Sequence, residues 1–168
     1  MKGVIMTLGY HGEALIKHFE SCSLKAYQDS KGVWTIGWGN TRYENGAFVK
    51  PNDVIPQWRA DQLFGRISQR FVNDVYHLTK SVYLKQCQFD ALVSFAYNVG
   101  SDIDADDKAE GLGDSTLLKR ILKNPDDPAI SEEFQKWNKS GGKVEPGLIR
   151  RRQAEAHLYF VGDLKFYF

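Results

Sequence analysis

Glu20, Asp29 and Thr35 stand in one short stretch, Phe19-Glu20-Ser21-Cys22-Ser23-Leu24-Lys25-Ala26-Tyr27-Gln28-Asp29-Ser30-Lys31-Gly32-Val33-Trp34-Thr35-Ile36-Gly37-Trp38-Gly39. Eight residues separate Glu20 from Asp29, and five separate Asp29 from Thr35. Cutting a glycosidic bond calls for two carboxyl groups in unlike surroundings. One gives a proton to the leaving oxygen; the other is ionised and activates water or stabilises positive charge on the sugar. Singly, each residue has an ordinary reading. A lone Glu is usually a solvated surface side chain. An Asp opening an Asp-x-x-Gly turn often only bonds its own backbone, and Thr is a common strand residue. It is the triplet spacing that points to chemistry.

The elements that must hold these groups follow from periodicity. Leu15, Ile16 and Phe19 recur at helical spacing, which predicts a short amphipathic helix from Gly9 to Glu20. Glu20 then ends a helix, beside Phe19 and Leu24, a setting that suits an acid holding its proton. β-type sequence follows at Lys25–Gln28 and Val33–Gly37, split by the turn signature Asp29-Ser30-Lys31-Gly32. A tight four-residue turn would send Asp29 and Thr35 to opposite faces; a wider loop that lets Thr35 pair near Tyr27 puts them on the same one. Asn45-Gly46 predicts a second short hairpin before Pro51. Phe64, Ile67, Phe71, Val75 and Leu78 recur every three or four residues, predicting one helix from Pro56 to Thr79, long enough to bridge two lobes.

Downstream the pattern is helical. Gln86–Val99 reads as a buried central helix stopped by Gly100, and Ser115 caps a helix over Thr116–Lys123. Another helix is expected from Pro128 to about Asn138, then a loop at Ser140-Gly141-Gly142 and a last amphipathic helix over Leu148–Phe160. The expected organisation is one α+β, mostly α, domain. A small N-terminal lobe with β-hairpins (about 1–58) is joined by a long helix (about 56–79) to an all-helical C-terminal lobe (about 80–168), and substrate is expected in the cleft between lobes.

Composition narrows the function classes. The 168 residues, 42% hydrophobic and 13% aromatic, suffice for a buried core and exclude a disordered linker. The net charge of +1 hides a pattern: residues 1–97 carry 11 Lys/Arg against 8 Asp/Glu, residues 115–168 carry 10 against 7, and residues 98–114 carry one Lys against six acids. Such weakly basic lobes favour an anionic polymer only mildly. The one dense basic run, Arg150-Arg151-Arg152, is too short for a nucleic-acid stripe, so no nucleic-acid partner is expected. That run either forms one face of an amphipathic helix or turns an arginine inward, against Glu20 or wall carboxylates. Asp102-x-Asp104-x-Asp106 opens like a calcium loop, but Asp107 stands at its sixth position and Gly113 at its twelfth, so the segment reads as a solvated, mobile acidic insertion without metal. Met1–Gly9 has only a short apolar run, and neither a signal peptide nor a membrane anchor is expected. Synthesis in a reducing cytoplasm follows, with Cys22 and Cys87 both free.

Beyond the triplet, the chain resembles the phage-type lysozymes over Gly12–Phe160. Thr35-Ile36-Gly37-Trp38-Gly39 closes the first block, and Phe89-Asp90-Ala91-Leu92-Val93-Ser94-Phe95-Ala96-Tyr97-Asn98-Val99-Gly100 is similar to the family's central helix. Ser115-Thr116-Leu117-Leu118, then Phe134-Gln135-Lys136-Trp137 with Gly141-Gly142, then Gly147-Leu148-Ile149-Arg150-Arg151-Arg152-Gln153-Ala154-Glu155 match later blocks in order. The resemblance implies a lysozyme-like fold and hydrolysis of the β-1,4 bond between N-acetylmuramic acid and N-acetylglucosamine. It implies a monomer that acts on bacterial peptidoglycan with no cofactor, no metal and no stable membrane insertion. By the same resemblance Glu20 is the acid, Asp29 and Thr35 hold the water that attacks with inversion, and Tyr97, Asn98 and Lys136 bind substrate.

Two positions depart from the family's pattern. Gly usually follows the acid and His follows Gly-x-Gly, where this chain has Ser21 and Asn40. Asn40 keeps hydrogen-bonding capacity but does not titrate near neutral pH. A lytic transglycosylase, using one carboxyl, would leave Asp29 and Thr35 idle; a wall-binding module without turnover draws only on Ser21 and Asn40. The resemblance further implies synthesis in a bacterial cytoplasm and action in the periplasm or wall, as a phage or prophage lysis enzyme first and a secreted antibacterial effector second.

Overall fold

The computed structural model describes residues 5–168, so the opening Met1–Val4 of the apolar run lies outside the described residues. The chain is mostly helical with two small antiparallel hairpins, an α+β arrangement. In order it forms α1 (Tyr10–Phe19), β1 (Ser23–Gln28), β2 (Trp34–Gly37), α2 (Gln57–Thr79), α3 (Gln86–Val99), α4 (Thr116–Lys123), α5 (Ile130–Gln135), β3 (Lys139–Ser140), β4 (Lys143–Val144) and α6 (Pro146–Val161). Among the described residues no helix is long and apolar enough to cross a membrane, and Cys22 and Cys87 are both free thiols.

Two compact units divide the chain: Met1–Leu15 with Phe71–Phe168, and Ile16–Arg70. The division falls within α1 and within α2. Residues 5–15 thus group with the helical unit, which apolar spacing alone does not convey. The cause is polar. Asp90 of α3 accepts the Gly9 N–H at 2.8 Å, and Gln86 donates from Nε2 both to the Thr7 carbonyl at 2.8 Å and to Asp90 at 2.7 Å.

In the unit Ile16–Arg70, β1 and β2 pair with Tyr27 opposite Thr35 and Ser23 opposite Gly37, a register shift intervening. Residues 53–55 extend this pair, since Ala26 N–H donates to the Asp53 carbonyl and Ile55 N–H to the Leu24 carbonyl, each at 2.9 Å. The core beneath consists of Ala26, Ile36, Val49, Ile55, Ala60 and Leu63, with Trp34, Trp38 and Tyr43 packed against it. The turn at Asn45-Gly46 forms, with Gly46 at φ +83°, but its flanks make only the single bridge Arg42–Phe48 rather than strands.

The helical unit is built on α3, buried from Gln88 to Ala96. Its start is fixed by Lys85 N–H donating to the Gln88 side chain at 2.9 Å, and its end by Gly100 at φ +104°, whose N–H reaches the Ala96 carbonyl. Around Phe95 an aromatic cluster closes edge to face, with Phe134 at 5.6 Å and Trp137 at 5.5 Å between ring centroids. Ser115 caps α4 by accepting the Leu118 N–H at 3.0 Å. The helix expected from Pro128 to about Asn138 is shorter, Ile130–Gln135. Asp127 accepts the Ala129 N–H at 3.0 Å, residues 128–129 form a turn that leads into α5 at Ile130, and after Gln135 the chain leaves the helix for β3. The expected loop at Gly141-Gly142 is a tight hairpin, with φ +55° and +80° at its two central glycines, values at which a Cβ is disfavoured.

The acidic segment is tied at its ends, against the expectation of a loosely packed insertion. Leu112 N–H bonds to the Gly100 carbonyl and Gly113 N–H to the Ser101 carbonyl, while one oxygen of Asp102 accepts the N–H groups of Glu110, Gly111 and Asp114. A Cβ added at Gly113 would overlap the Asp102 carbonyl oxygen, a backbone atom that cannot swing aside. Replacing Gly113 by Ala is therefore expected to cost about 2 kcal/mol or more. Gly65, exposed within α2 with nothing within 4 Å of an added Cβ, gives the opposite sign: Gly65→Ala should stabilise by about 0.5–1 kcal/mol. Thermal melts of the two variants, read against the parent, check both signs.

Candidate active site

Glu20 sits just beyond the last residue of α1, with its N–H still bonded to the Ile16 carbonyl at 2.9 Å. The helix therefore fixes the Glu20 backbone while the chain turns toward β1. Asp29 opens the following turn. One oxygen of its carboxylate accepts two backbone N–H groups, from Lys31 at 2.8 Å and Val33 at 2.9 Å. Its own N–H donates to the Val33 carbonyl, and Gly32, at φ +76°, donates back to the Asp29 carbonyl. This is a side-chain-mimicked turn, and it leaves the second carboxylate oxygen outside those two bonds.

The turn is wide enough to bring Thr35 opposite Tyr27. Directly paired residues share a face, and so do residues two apart along a strand, so Tyr27, Asp29 and Thr35 point to one side of the hairpin. Ala26 and Ile36, on the other side, go to the core. Thr35 is buried on its face, and its hydroxyl donates to the Val33 carbonyl at 3.0 Å. With that proton engaged, the Thr35 oxygen is left as an acceptor, fit to receive a hydrogen bond from water.

Tyr27 links the two acids. Its phenol is pushed above the ordinary tyrosine value first by burial, then by the carboxyl groups of Glu20 and Asp29. Both acids are therefore near enough to one ring to raise the cost of its ionisation. Glu20, Asp29 and Thr35 thus share one compact unit and one neighbour. Such a set can protonate a leaving oxygen and hold a water between a carboxylate and a hydroxyl oxygen.

Sequence reasoning missed the polar scaffold beneath. Asp61 of α2 accepts hydrogen bonds from Trp38 Nε1 at 3.1 Å, Lys17 Nζ at 3.2 Å and Gln57 Nε2 at 3.3 Å. Burial works to raise its carboxyl, but the bonds from Trp38 and Lys17 outweigh that and hold it below the usual range. Asp61 thereby ties together the last turn of α1, the residue that follows β2 and the first turn of α2. No local pattern marks Asp61, which reads as one more charge on a polar helix face. Asn40 is buried as well: its Nδ2 donates to the Leu63 carbonyl at 3.2 Å, and its backbone exchanges both hydrogen bonds with Ile36. It clips the Gly-Trp-Gly turn to α2.

Of the residues in the helical unit, Tyr97 is half-buried and packs its ring 5.1 Å from that of Phe71. Asn98 is exposed and borders a cavity of about 520 Å³ with Trp137, Lys139, Ser140 and Glu145. Lys136 does not border this cavity; its ammonium lies 3.0 Å from the buried Glu133 carboxylate, which Arg120 also engages at 3.0 Å. The basic run resolves into one half-buried residue, Arg150, and two buried ones. Arg151 and Arg152 both meet the fully buried Glu155, at 3.2 Å and 2.9 Å, and Ser94 donates to the same carboxylate at 2.8 Å. Neither sequence alternative foresaw two buried arginines, because an internal carboxylate at a spacing of three and four residues reads equally well as a surface pair. The carboxylates of Asp102, Asp104 and Asp114 have oxygens within 4.8 Å of one another, yet Asp102 already accepts three backbone N–H groups there.

The sequence profile of the phage lysozyme family matches residues 17–155. The chain is 41% identical over 162 residues to an endolysin of Bacillus phage B103, an alignment covering 95% of this chain and 56% of that protein. It therefore spans little more than half the length of that relative. It is 38% identical to an endolysin of Acyrthosiphon pisum secondary endosymbiont phage 1, covering 92% of this chain and 98% of that one. An endolysin from Escherichia coli O157:H7 phage FAHEc1 superposes with a TM-score of 0.81 at 35% identity, over 95% of this chain and 97% of the other.

The shared neighbour of the two acids can be tested directly. In tyrosine-labelled protein followed by NMR, the Tyr27 phenol should titrate above the usual value of about 10. Glu20→Gln and Asp29→Asn should each bring it down. Titrations identical in parent and both variants would mean that the acids do not flank this ring.

Proposed function

Because the chain belongs to the phage lysozyme family, we propose that it is a muramidase that hydrolyses the β-1,4 bond between N-acetylmuramic acid and N-acetylglucosamine in bacterial peptidoglycan. The observation that carries this reading is the placement of Asp29 and Thr35 on one face of a hairpin whose Tyr27 also senses Glu20. Glu20 gives its proton to the glycosidic oxygen as the C–O bond breaks, so that the leaving sugar departs as an alcohol. The anomeric carbon gains positive charge and is attacked by water. Asp29 accepts the proton of that water, and the Thr35 oxygen accepts its second hydrogen bond and orients it. The turn N–H groups of Lys31 and Val33 hold one carboxylate oxygen, and the other takes the proton of the water.

A water held by Asp29 and Thr35 attacks from the face of the sugar opposite the leaving oxygen that Glu20 protonates. The configuration at the anomeric carbon therefore inverts, which calls for roughly 6.5–9.5 Å between the carboxyl groups. Tyr97, Asn98 and Lys136 are assigned to substrate binding, Lys136 by an ammonium that must leave or share Glu133 to reach a ligand. The enzyme is made in a bacterial cytoplasm and acts at the cell wall as a monomer.

Purified walls digested by the enzyme should release reducing sugar ends. Anhydro-sugar ends in the mass spectrum would identify a transglycosylase instead. Glu20→Gln, similar in shape but with no proton to give, should lose about a hundred- to ten-thousand-fold in rate while keeping the parent circular dichroism. A variant retaining a tenth of the activity would remove Glu20 from the acid's role. On a defined glycan oligomer, NMR of the fresh product should show the α-anomer before mutarotation.

A further inference from the structure

The cavity beside Asn98 has a polarity that its neighbours impose. Arg152 is fully buried in α6, and one of its terminal nitrogens donates to Asn98 Oδ1 at 2.7 Å. A guanidinium has only donors, so the Asn98 side chain can meet it in one orientation alone, with the carbonyl inward. The guanidinium is itself held, by Glu155 at 2.9 Å and over the Phe95 ring at 4.9 Å. Glu155 in turn is fixed by Ser94 and Arg151. Asn98 is therefore the exposed end of a rigid buried chain, and its Nδ2 donors are turned away from Arg152.

We propose that Arg152 acts as a positioning residue that locks the Asn98 amide with its N–H outward, so that the cavity of Asn98, Trp137, Lys139 and Ser140 recognises the carbonyl oxygen of an amide in the wall polymer. This rests on the muramidase reading for the polymer, though not for the polarity. The donor complements a neutral acceptor, Trp137 offers an apolar wall, Lys139 adds a second donor on the hairpin rim, and the Glu145 carboxylate on the same lining can accept the N–H that an amide carries beside its carbonyl. Two sources in peptidoglycan carry that chemistry: the acetamido group of the sugars and the peptide bonds of the stem. An amide locked the other way would present an acceptor and favour a hydroxyl, so the orientation decides which chemical group is bound.

The decisive variant is Asn98→Asp. A carboxylate still accepts the Arg152 hydrogen bond but has no donor for the cavity, so a role confined to holding Arg152 would survive the change. Asn98→Leu removes the donor without adding charge, and controls for repulsion of acidic ligands. Binding is measured by titration NMR with three probes: an N-acetylglucosamine trimer, a glucose trimer without acetamido groups, and a C-terminally amidated stem tetrapeptide. The parent should bind one of the two amide-bearing probes more tightly than the glucose trimer, which identifies the source. Both variants should lose that probe by roughly 3- to 10-fold in Kd, the effect of one uncharged hydrogen bond. On walls, the same loss should appear in KM with kcat held. Asn98→Asp binding its amide probe as tightly as the parent, at an unchanged melting temperature, overturns the proposal; so does a parent that binds neither amide probe better than the glucose trimer. Failure of the muramidase reading is seen separately, as a parent that releases no reducing ends from walls.

Discussion

Side chains alternate along a strand, and that parity governs how Thr35 stands to Asp29 in the unit Ile16–Arg70. One residue more or fewer between Gln28 and Trp34 would send Thr35 into the core and a hydrophobic side chain to the face of Asp29. The width of this turn is set by one carboxylate oxygen that gathers the Lys31 and Val33 N–H groups, with Gly32 supplying the left-handed backbone. Asp29 is thus both a candidate for chemistry and the device that establishes the register placing Thr35 beside it. The same parity sends Ala26 and Ile36 to the core, so the apolar pattern and the polar face support each other.

In the helical unit the organising element is a charge rather than a register. Glu155 is fully buried and meets two guanidinium groups and a serine hydroxyl. Burying a carboxylate is tolerable only when it is paired and hydrogen-bonded, so Arg151, Arg152 and Ser94 are determined together. Removing one partner would leave buried charge behind. Packing around this centre is aromatic, with Phe95 meeting both Phe134 and Trp137 edge to face, and the rigidity of that cluster passes to Asn98 through one hydrogen bond.

The sequence made the local chemistry legible and left the distant partners hidden. Ser115 and Gly100 advertise the ends of their helices because caps are short-range devices, and the structure has them there. The long helix α2 could be read from its apolar spacing for the same reason. Asp61 could not, because its partners Lys17 and Trp38 come from other elements, and nothing about an Asp on a polar face announces them. Charge alone says little about the acidic segment: six acids suggest repulsion, yet one oxygen of Asp102 gathers three backbone N–H groups at its ends. Gly141-Gly142 was visible as a turn, but its strands are two residues each, too short for any alternation to show.

The clamped ends of the acidic segment have a consequence for engineering. Gly100 and Ser101 are bonded to Leu112 and Gly113, so the two chain ends that enter and leave this excursion are held together by the scaffold itself. Closing a loop is costly in entropy when its ends must be found, and the cost grows only slowly with length once they are fixed. The stretch between Asp102 and Glu110 is consequently a cassette: a foreign peptide of other length or sequence inserted there starts from anchored ends. A display tag, a protease site or a recognition loop placed at this position would leave the helices on both sides in their own hydrogen-bonded frames.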